Sequence, residues 1–277
     1  MTTMTVQDKD RKLGEILKGM GQVMIAFSGG VDSTFVLKRA HQELGDNVLA
    51  AVAASETFPS REYDAAVQLA HDMGVRLHET TVSEFANANF VANNPDRCYH
   101  CKTGLYVHLQ EIAKSMGYPY IIDGSNVDDL GDYRPGLKAK DEQGVRSVLQ
   151  EAGLTKQEIR TLSKELGLPT WDKPSFACLS SRIPYGTRID KDKIDQLDEG
   201  ENFLLGLGFY QVRVRHHDKI ARIEVMPQEL TKAVEHHEAI AAKFQSLGFQ
   251  YVTLDMTGYR TGSMNEVLQA AKESKAQ

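Results

Sequence analysis

The sequence has little of what places a protein in a membrane. Hydrophobic residues make up 41% of its 277 positions, but no apolar run approaches the roughly 20 residues that a membrane-spanning helix needs. The N-terminal residues hold no hydrophobic signal-peptide core. We therefore expect a soluble, cytoplasmic protein with no membrane partner.

Cysteine is also scarce, and basic residues are outnumbered by acidic ones, 32 to 38. Three cysteines in a cytoplasmic chain do not make a disulfide framework. The net charge of −6 at pH 7 argues against a broad surface for nucleic acid, although it allows a local one. The length of 277 residues fits one large domain or two modest ones.

One glycine-rich stretch, Ser28-Gly29-Gly30-Val31-Asp32-Ser33, follows the apolar strand pattern Val23–Phe27 and opens a helical pattern. Helix N-termini attract anions, because their first N–H groups lack partners and the helix dipole adds positive charge there. Glycines let the backbone approach a ligand, and Asp32 is predicted to hold a Mg²⁺ ion that bridges phosphates. An ordinary capped turn is the alternative.

This stretch lacks the lysine of a Walker A loop and resembles the SGGxDS PP-loop of the ATP pyrophosphatases, which split ATP between the α and β phosphates. The resemblance implies a nucleotide site. We predict that ATP is bound by Ala26, Ser28, Gly29, Gly30, Val31, Asp32 and Ser33.

Alternating strand and helix patterns predict an α/β fold with a parallel sheet over residues 1–187, and the resemblance implies that this fold is of the PP-loop (HUP-like) type. Ligands of such sheets bind at the carboxyl ends of strands. Ser55, Asp123 and Gly124 follow predicted strands, so we assign them to the same crevice as the PP-loop. The polar segment 127–145 is predicted to be a long loop that serves as a substrate lid. Residues 188–277 are predicted to form a smaller α+β domain.

The cysteines form a CxxC motif, Cys98 and Cys101, and a distant Cys178. A lone CxxC is a weak signal, since it also occurs as a redox pair or half of a zinc site. Zinc would need a fourth ligand, and His100 inside the motif reaches the same metal awkwardly. A [4Fe–4S] cluster normally takes four cysteines, so three would leave one iron open. Cluster, zinc and buried structural thiols all remain open at this point.

Arginine side chains supply the candidate anion site, because guanidinium forks suit phosphates and carboxylates. Arg213 and Arg215 lie two residues apart on a predicted strand and therefore share one face. For any single arginine, a solvated surface charge is the alternative. The arginines we single out are Arg134, Arg182, Arg213, Arg215 and Arg260.

Several motifs in order along the chain resemble one family. They are Ala26–Ser33, Asp132–Ala139, Ser180–Thr187, Val212–Arg215, and Leu254-Asp255 with Gly258-Tyr259-Arg260. They resemble LarE, the ATP-dependent sulfur transferase family that helps to build the nickel-pincer nucleotide cofactor of lactate racemase.

The resemblance implies adenylylation of the carboxylates of pyridinium-3,5-biscarboxylic acid mononucleotide and their conversion to thiocarboxylates. Arg213, Arg215 and Arg260 would hold the substrate's phosphate and carboxylates. A homo-oligomer is expected, and the sulfur donor is left unspecified. The residues implied in catalysis are Cys98, Cys101, Cys178, Asp32, Ser181 and Arg182.

One departure from the family concerns the source of sulfur. The better-known LarE branch sacrifices a cysteine, and the motif spacing places Ala177 at that position. The three cysteines resemble instead the branch in which a [4Fe–4S] cluster, held by Cys98, Cys101 and Cys178, carries an extra sulfide and the enzyme turns over repeatedly. Sacrifice of Cys178, displaced by one position, is the alternative.

Three other functions compete with sulfur transfer to a mononucleotide. A tRNA thiolation enzyme would also pair a PP-loop with three cysteines, but the acidic balance weighs against it. Amide synthesis, as in NAD or GMP synthetases, needs ammonia and no cluster. A non-enzymatic nucleotide sensor would cleave no ATP.

Overall fold

The structure, a computed structural model, describes residues 4–131 and 135–260. The chain forms two compact units, one of residues 1–90 and 95–176, and the other of residues 91–94 and 177–277. The sequence prediction placed this boundary at 187/188. In the structure the division lies at 176/177. The buried side chain of Asn93 donates hydrogen bonds to the carbonyl oxygens of Ile183, Pro184 and Thr187, and these bonds join residues 91–94 to the second unit.

The first unit contains a four-stranded parallel sheet with the strand order β3-β2-β1-β4. The strands are β1 (Val23–Ala26), β2 (Val48–Ala54), β3 (Arg76–Thr81) and β4 (Tyr120–Ile122). The helices up to the unit boundary are α1 (Val6–Met20), α2 (Val31–Leu44), α3 (Ser60–Asp72), α4 (Ala88–Val91), α5 (Arg97–Met116), α6 (Pro135–Glu142), α7 (Val148–Ala152) and α8 (Lys156–Glu165). This architecture confirms the predicted α/β fold of the PP-loop type.

Burial on both faces explains why the central strands are continuous apolar runs. Val23 and Ile25 of β1 pack into one cluster with residues of α1, α2 and α8. Met24, between them, points to the other face and packs against Tyr106 and Leu109 of α5. Helices therefore cover both faces of the sheet, and the ends of the strands remain for a polar site.

The segment 127–145 differs from its prediction as a long loop. It contains a 3₁₀ turn at Val127–Gly131 and the helix α6. Ala139 is buried, and the hydroxyl of Tyr99 in α5 donates a 2.6 Å hydrogen bond to Glu142. A proline is tolerated in the first turn of a helix, so Pro135 does not prevent α6, and tertiary packing on α5 decides its conformation.

The second unit contains a three-stranded mixed sheet with the order β5-β6-β7. Its strands are β5 (Val212–His217), β6 (Ile220–Val225) and β7 (Tyr251–Leu254), and its helices are α9 (Lys191–Gly206), α10 (Leu230–Glu235) and α11 (His237–Ser246). β5 and β6 pair antiparallel, and β7 pairs parallel to β6. The helices α10 and α11 are separated at His236.

Alternation along β5 and β6 gives the second sheet two different faces. Val214 and Ile223, which pair across the strands, are buried apolar residues. The opposite face carries Arg213, Arg215 and Glu224. Within the described part of the chain, no helix has both the length and the apolar character needed to cross a bilayer.

Candidate active site

The PP-loop connects the end of β1 to the start of α2. Gly30 is the N-cap of α2 and gives it no side-chain hydrogen bond, so no capping side chain covers the N–H groups of the first turn. Inside the loop, the hydroxyls of Ser28 and Ser33 lie 3.1 Å apart, and Ser33 also donates to the Gly30 carbonyl oxygen at 3.3 Å. The loop thus has the donors that an anion needs.

Gly29 and Gly30 fill different needs in this loop. Gly29 has φ +66°, and a Cβ atom there would lie 2.8 Å from the Cβ of Ala66 in α3. Both the backbone conformation and the packing of α3 therefore require glycine. A Cβ on Gly30 would meet the Oγ of Ser28 at 3.5 Å and the ring of Phe176 at 3.7 Å, so a small side chain would fit there and packing does not require glycine.

The end of β4 supports the same loop from the other side. A Cβ on Gly124 would lie 2.8 Å from the backbone nitrogen of Ser33 and 3.1 Å from its Cα. The neighbouring Asp123 is buried and accepts hydrogen bonds from the hydroxyls of Ser125, Ser147 and Tyr106 at 2.7, 2.7 and 3.1 Å. Its carboxylate therefore holds this strand end in shape.

Gly124→Ala is expected to weaken ATP binding about tenfold, because overpacking of this kind typically costs about 1–3 kcal/mol and displaces the Ser33 N–H. Titration calorimetry with ATP measures the effect. Gly104→Ala in α5 is the matched control, since a Cβ there meets nothing within 4 Å. Unchanged ATP affinity in Gly124→Ala would show that the β4 end does not shape the loop.

Asp32, the predicted Mg²⁺ residue, lies in the first turn of α2. Its Oδ2 is 2.5 Å from the Nζ of Lys156, and its Oδ1 is 3.4 Å from the Nδ2 of Asn126. The Lys156 side chain is 31% exposed, so its ammonium borders the crevice. A carboxylate next to a positive charge at a helix N-terminus is suited to a complex of phosphate and metal.

A second lysine reaches the loop from residues 171–176. Lys173 donates to the carbonyl oxygen of Gly29 at 3.1 Å and pairs with Glu62 at 2.7 Å. The ring of Phe176 approaches Phe58 with centroids 5.6 Å apart. Neither Lys156 nor Lys173 was predicted from the sequence.

The first two cysteines lie at the carboxyl edge of the same sheet. The Sγ of Cys101 donates to Glu84 at 2.8 Å, and the other oxygen of Glu84 accepts a short hydrogen bond from Thr57. Thr57 follows β2 close to Ser55, and Glu84 follows β3. Cys98 lies one helical turn before Cys101, so both thiols share one side of α5.

No metal-binding group of three His, Cys, Asp or Glu side chains occurs among residues 4–131 and 135–260. The Nε2 of His100 lies 3.4 Å from a carboxylate oxygen of Asp96. The zinc alternative would instead require His100 to bind the metal. Cys98, Cys101 and Cys178 are not in disulfide bonds, and each is partly exposed. The two thiols of α5 fit the donor set of an iron–sulfur cluster in chemistry and spacing.

Cys178 belongs to the second unit, on the turn before the 3₁₀ segment Leu179–Arg182. Its Sγ lies 2.9 Å from the Oγ of the buried Ser180. Ser181, predicted to be catalytic, accepts a 2.8 Å hydrogen bond from Arg182.

Arg182, which we predicted to be catalytic, lies inside the second unit. Its side chain is fully buried and makes a bidentate pair with Glu201, at 2.8 and 2.9 Å. Burial would raise the pKa of Glu201, but the Arg182 guanidinium outweighs it and the pKa is lowered. The pair fixes the position of this guanidinium, and its catalytic role stays a prediction.

Arg213 and Arg215 share one sheet face, but their surroundings differ. Arg215 makes a bidentate pair with Glu224 at 3.0 and 2.8 Å and donates to the carbonyl oxygen of Ser181. Arg213 lies over the Tyr259 ring at 5.1 Å. Its pKa is lowered to about 10, first by burial and then by the positive charge of Arg182.

The buried residues of the second unit carry an excess of positive charge. Among its described residues, three guanidinium groups (Arg182, Arg213 and Arg215) are buried with two carboxylates (Glu201 and Glu224). Arg260 is half-exposed and donates to the Gly258 carbonyl oxygen at 3.3 Å, and Arg134 lies outside the described residues.

Comparisons with known proteins bear on both units. The sequence model of the NAD synthase family matches residues 11–101. An uncharacterised protein of Synechocystis sp. is 43% identical over 265 residues, which cover 95% of this chain and 99% of that protein. A protein of Lactiplantibacillus plantarum, named pyridinium-3,5-bisthiocarboxylic acid mononucleotide synthase, is 44% identical over 269 residues, or 97% of this chain and 98% of its own length. The chain belongs to this synthase family.

Membership in this family, LarE, confirms the resemblance that the motifs predicted. A glutamine-hydrolysing GMP synthase component of Pyrococcus furiosus is 26% identical over only 174 residues, which cover 59% of this chain and 55% of that protein. The likeness to amide-forming synthetases is therefore confined to part of the chain, whereas the LarE likeness includes the second unit with its arginines.

The structure brings together the PP-loop, Gly124 and Asp32 at the carboxyl edge of the LarE-type sheet, with Lys156 and Lys173 added. The signal for Lys156 was indirect. Thr155 and Glu158 form a capping box, which fixes where α8 begins but not which group its first side chain meets.

Proposed function

We propose that the protein is an ATP-dependent sulfur transferase that converts the carboxylates of pyridinium-3,5-biscarboxylic acid mononucleotide to thiocarboxylates. The observation that carries this proposal is the identity of 44% over 97% of the chain to the named synthase. The PP-loop crevice would bind and cleave ATP, and the buried arginines of the second unit would bind the substrate.

The first half of the reaction activates a carboxylate, which is by itself a poor electrophile. A substrate carboxylate oxygen attacks the α phosphorus of ATP, and the bond from that phosphorus to the departing pyrophosphate breaks. The products are an acyl adenylate and pyrophosphate. The N–H groups of α2, the hydroxyls of Ser28 and Ser33, and Lys156 stabilise the departing charge, and Asp32 would hold Mg²⁺ on it.

The second half of the reaction replaces AMP at the acyl carbon by sulfur. We assign Cys98, Cys101 and Cys178 to a [4Fe–4S] cluster, since the first two lie one helical turn apart and Ala177 stands where the better-known branch has its sacrificial cysteine. When bound, a cluster with three thiolates supplies one iron that is open to a sulfide.

The second unit is assigned to substrate binding. Arg213, one of the buried arginines, and the partly exposed Arg260 would hold the phosphate and carboxylates of the mononucleotide. Arg215 would act mainly through its contact with Ser181. A homo-oligomeric state and a cytoplasmic location are further expectations, which light scattering and cell fractionation would measure.

Anaerobic purification tests the cluster assignment. We expect a brown protein with about four irons per chain, together with acid-labile sulfide, and we expect Cys98→Ala to lose both. Mass spectrometry of the mononucleotide then measures oxygen-to-sulfur replacement over many cycles. Iron-free protein that still thiolates repeatedly would contradict the cluster, and one sulfur per chain with dehydroalanine at position 178 would indicate sacrifice.

The same preparation separates the competing functions. Ammonia-dependent ATP cleavage without sulfur transfer would indicate amide synthesis. Salt-sensitive binding of tRNA with thiolated nucleosides would indicate tRNA thiolation. ATP binding without cleavage, in the presence of the mononucleotide and sulfide, would indicate a sensor.

A further inference from the structure

We propose that Glu201 acts through Arg182 as a positioning residue for Cys178. The inference deepens the proposed function, since it takes Cys178 as a sulfur-handling residue. The geometry that points to it is a single guanidinium with two sides. Its Nε and Nη2 donate to Glu201, whereas its Nη1 donates to the carbonyl oxygens of Ala177 and Cys178 at 2.7 and 3.0 Å.

These two carbonyl groups flank the Cα atom of Cys178. Holding both of them fixes the peptide planes on either side of that residue, and therefore the direction in which its Cβ leaves the backbone. Ser180, which is fully buried, then holds the Sγ at 2.9 Å. The thiol is thus held in one position on a preformed turn.

Glu201 is the fixed end of this arrangement. It lies on α9, and its Oε1 also accepts the backbone N–H of Val214 in β5 at 3.0 Å. Arg182 and Glu201 are 0% and 1% exposed, so water does not compete for these hydrogen bonds. The chain of contacts therefore runs from the core of the second unit to Cys178.

A purely structural ion pair would also stabilise the unit, and the chain offers a matched control for that effect. Arg215 and Glu224 form a bidentate pair of similar geometry in the same unit, with exposures of 5% and 0%. Among the hydrogen bonds described for Arg215, one goes to the carbonyl oxygen of Ser181, on the far side of the turn. Loss of either pair removes a buried contact, but only the Glu201 pair anchors the guanidinium that donates to the carbonyl oxygens on both sides of the Cys178 Cα atom.

The test measures alkylation of Cys178 by iodoacetamide in iron-free protein that carries Cys98→Ser and Cys101→Ser. We expect Glu201→Gln to accelerate alkylation at least about tenfold, the factor that corresponds to one lost charge-assisted hydrogen bond. Glu224→Gln, with a comparable fall in melting temperature, should alkylate at close to the unmutated rate. Arg182→Lys keeps the charge but cannot donate to all these acceptors, so it should behave like Glu201→Gln.

Equal acceleration in Glu201→Gln and Glu224→Gln would overturn the inference, because general loosening would explain both. An unchanged rate in both Glu201→Gln and Arg182→Lys would overturn it as well. If Glu201→Gln fails to fold, Arg182→Lys decides between the outcomes. Alkylation needs neither ATP nor mononucleotide. Failed sulfur transfer, combined with the expected difference in alkylation rate between the variants, would therefore count against the proposed function alone.

Discussion

Replacing Lys156 by alanine is expected to slow ATP cleavage by about 10²–10³-fold, the usual effect of removing one preorganised group that stabilises a departing anion. Its ammonium lies 2.5 Å from the Oδ2 of Asp32, at the start of α8. The Lys156 backbone N–H donates to Asp128 at 2.8 Å, which fixes the base of the side chain. The charge is thus held at the N-terminal end of α2, where pyrophosphate would leave.

Pyrophosphate release, measured with saturating mononucleotide, reports this effect directly. Lys164→Ala is the control from the same helix, since Lys164 lies over the Trp171 ring at 4.5 Å and we assign it no contact with phosphate. Lys156→Arg should recover part of the rate, because it restores the charge with a different shape. If Lys156→Ala cleaved ATP as fast as Lys164→Ala, the lysine would be a structural partner of Asp32 only.

Local signals explain why much of the fold could be predicted. The apolar strand pattern before the PP-loop and the alternation of strands and helices match the structure, since each element has an apolar pattern of the right period. The PP-loop was predictable for the same reason. Its glycines, serines and aspartate are adjacent in sequence and act as one unit.

Contacts between distant residues explain what the sequence did not show. Lys156 meets Asp32 across 124 residues, and Lys173 meets Gly29 across 144. Periodicity placed Arg213 and Arg215 on one face correctly, but it could not tell that Glu224 would pair with Arg215. The same limit hid the contact of Glu201 with Arg182.

Arg213→Gln is expected to raise the KM for the mononucleotide about 10–100-fold, as the loss of a hydrogen bond to a charged group typically does, and to leave the KM for ATP unchanged. Arg213 donates from Nη1 to the Val212 carbonyl oxygen at 2.8 Å, and its guanidinium lies over the Tyr259 ring. Loss of these contacts should lower the melting temperature only modestly, and less than Arg215→Gln does.

Arg215→Gln should give the opposite pattern, which makes the pair of variants decisive. It removes one partner of the buried pair with Glu224, and breaking such a pair typically costs about 3–5 kcal/mol of stability. The melting temperature should therefore fall sharply, with a smaller change in KM for the molecules that remain folded. Arg188→Gln, an exposed arginine of the same unit, controls for loss of charge alone. If Arg213→Gln raised the two KM values equally, or lowered the melting temperature as much as Arg215→Gln, the excess charge of the second unit would not be a substrate site.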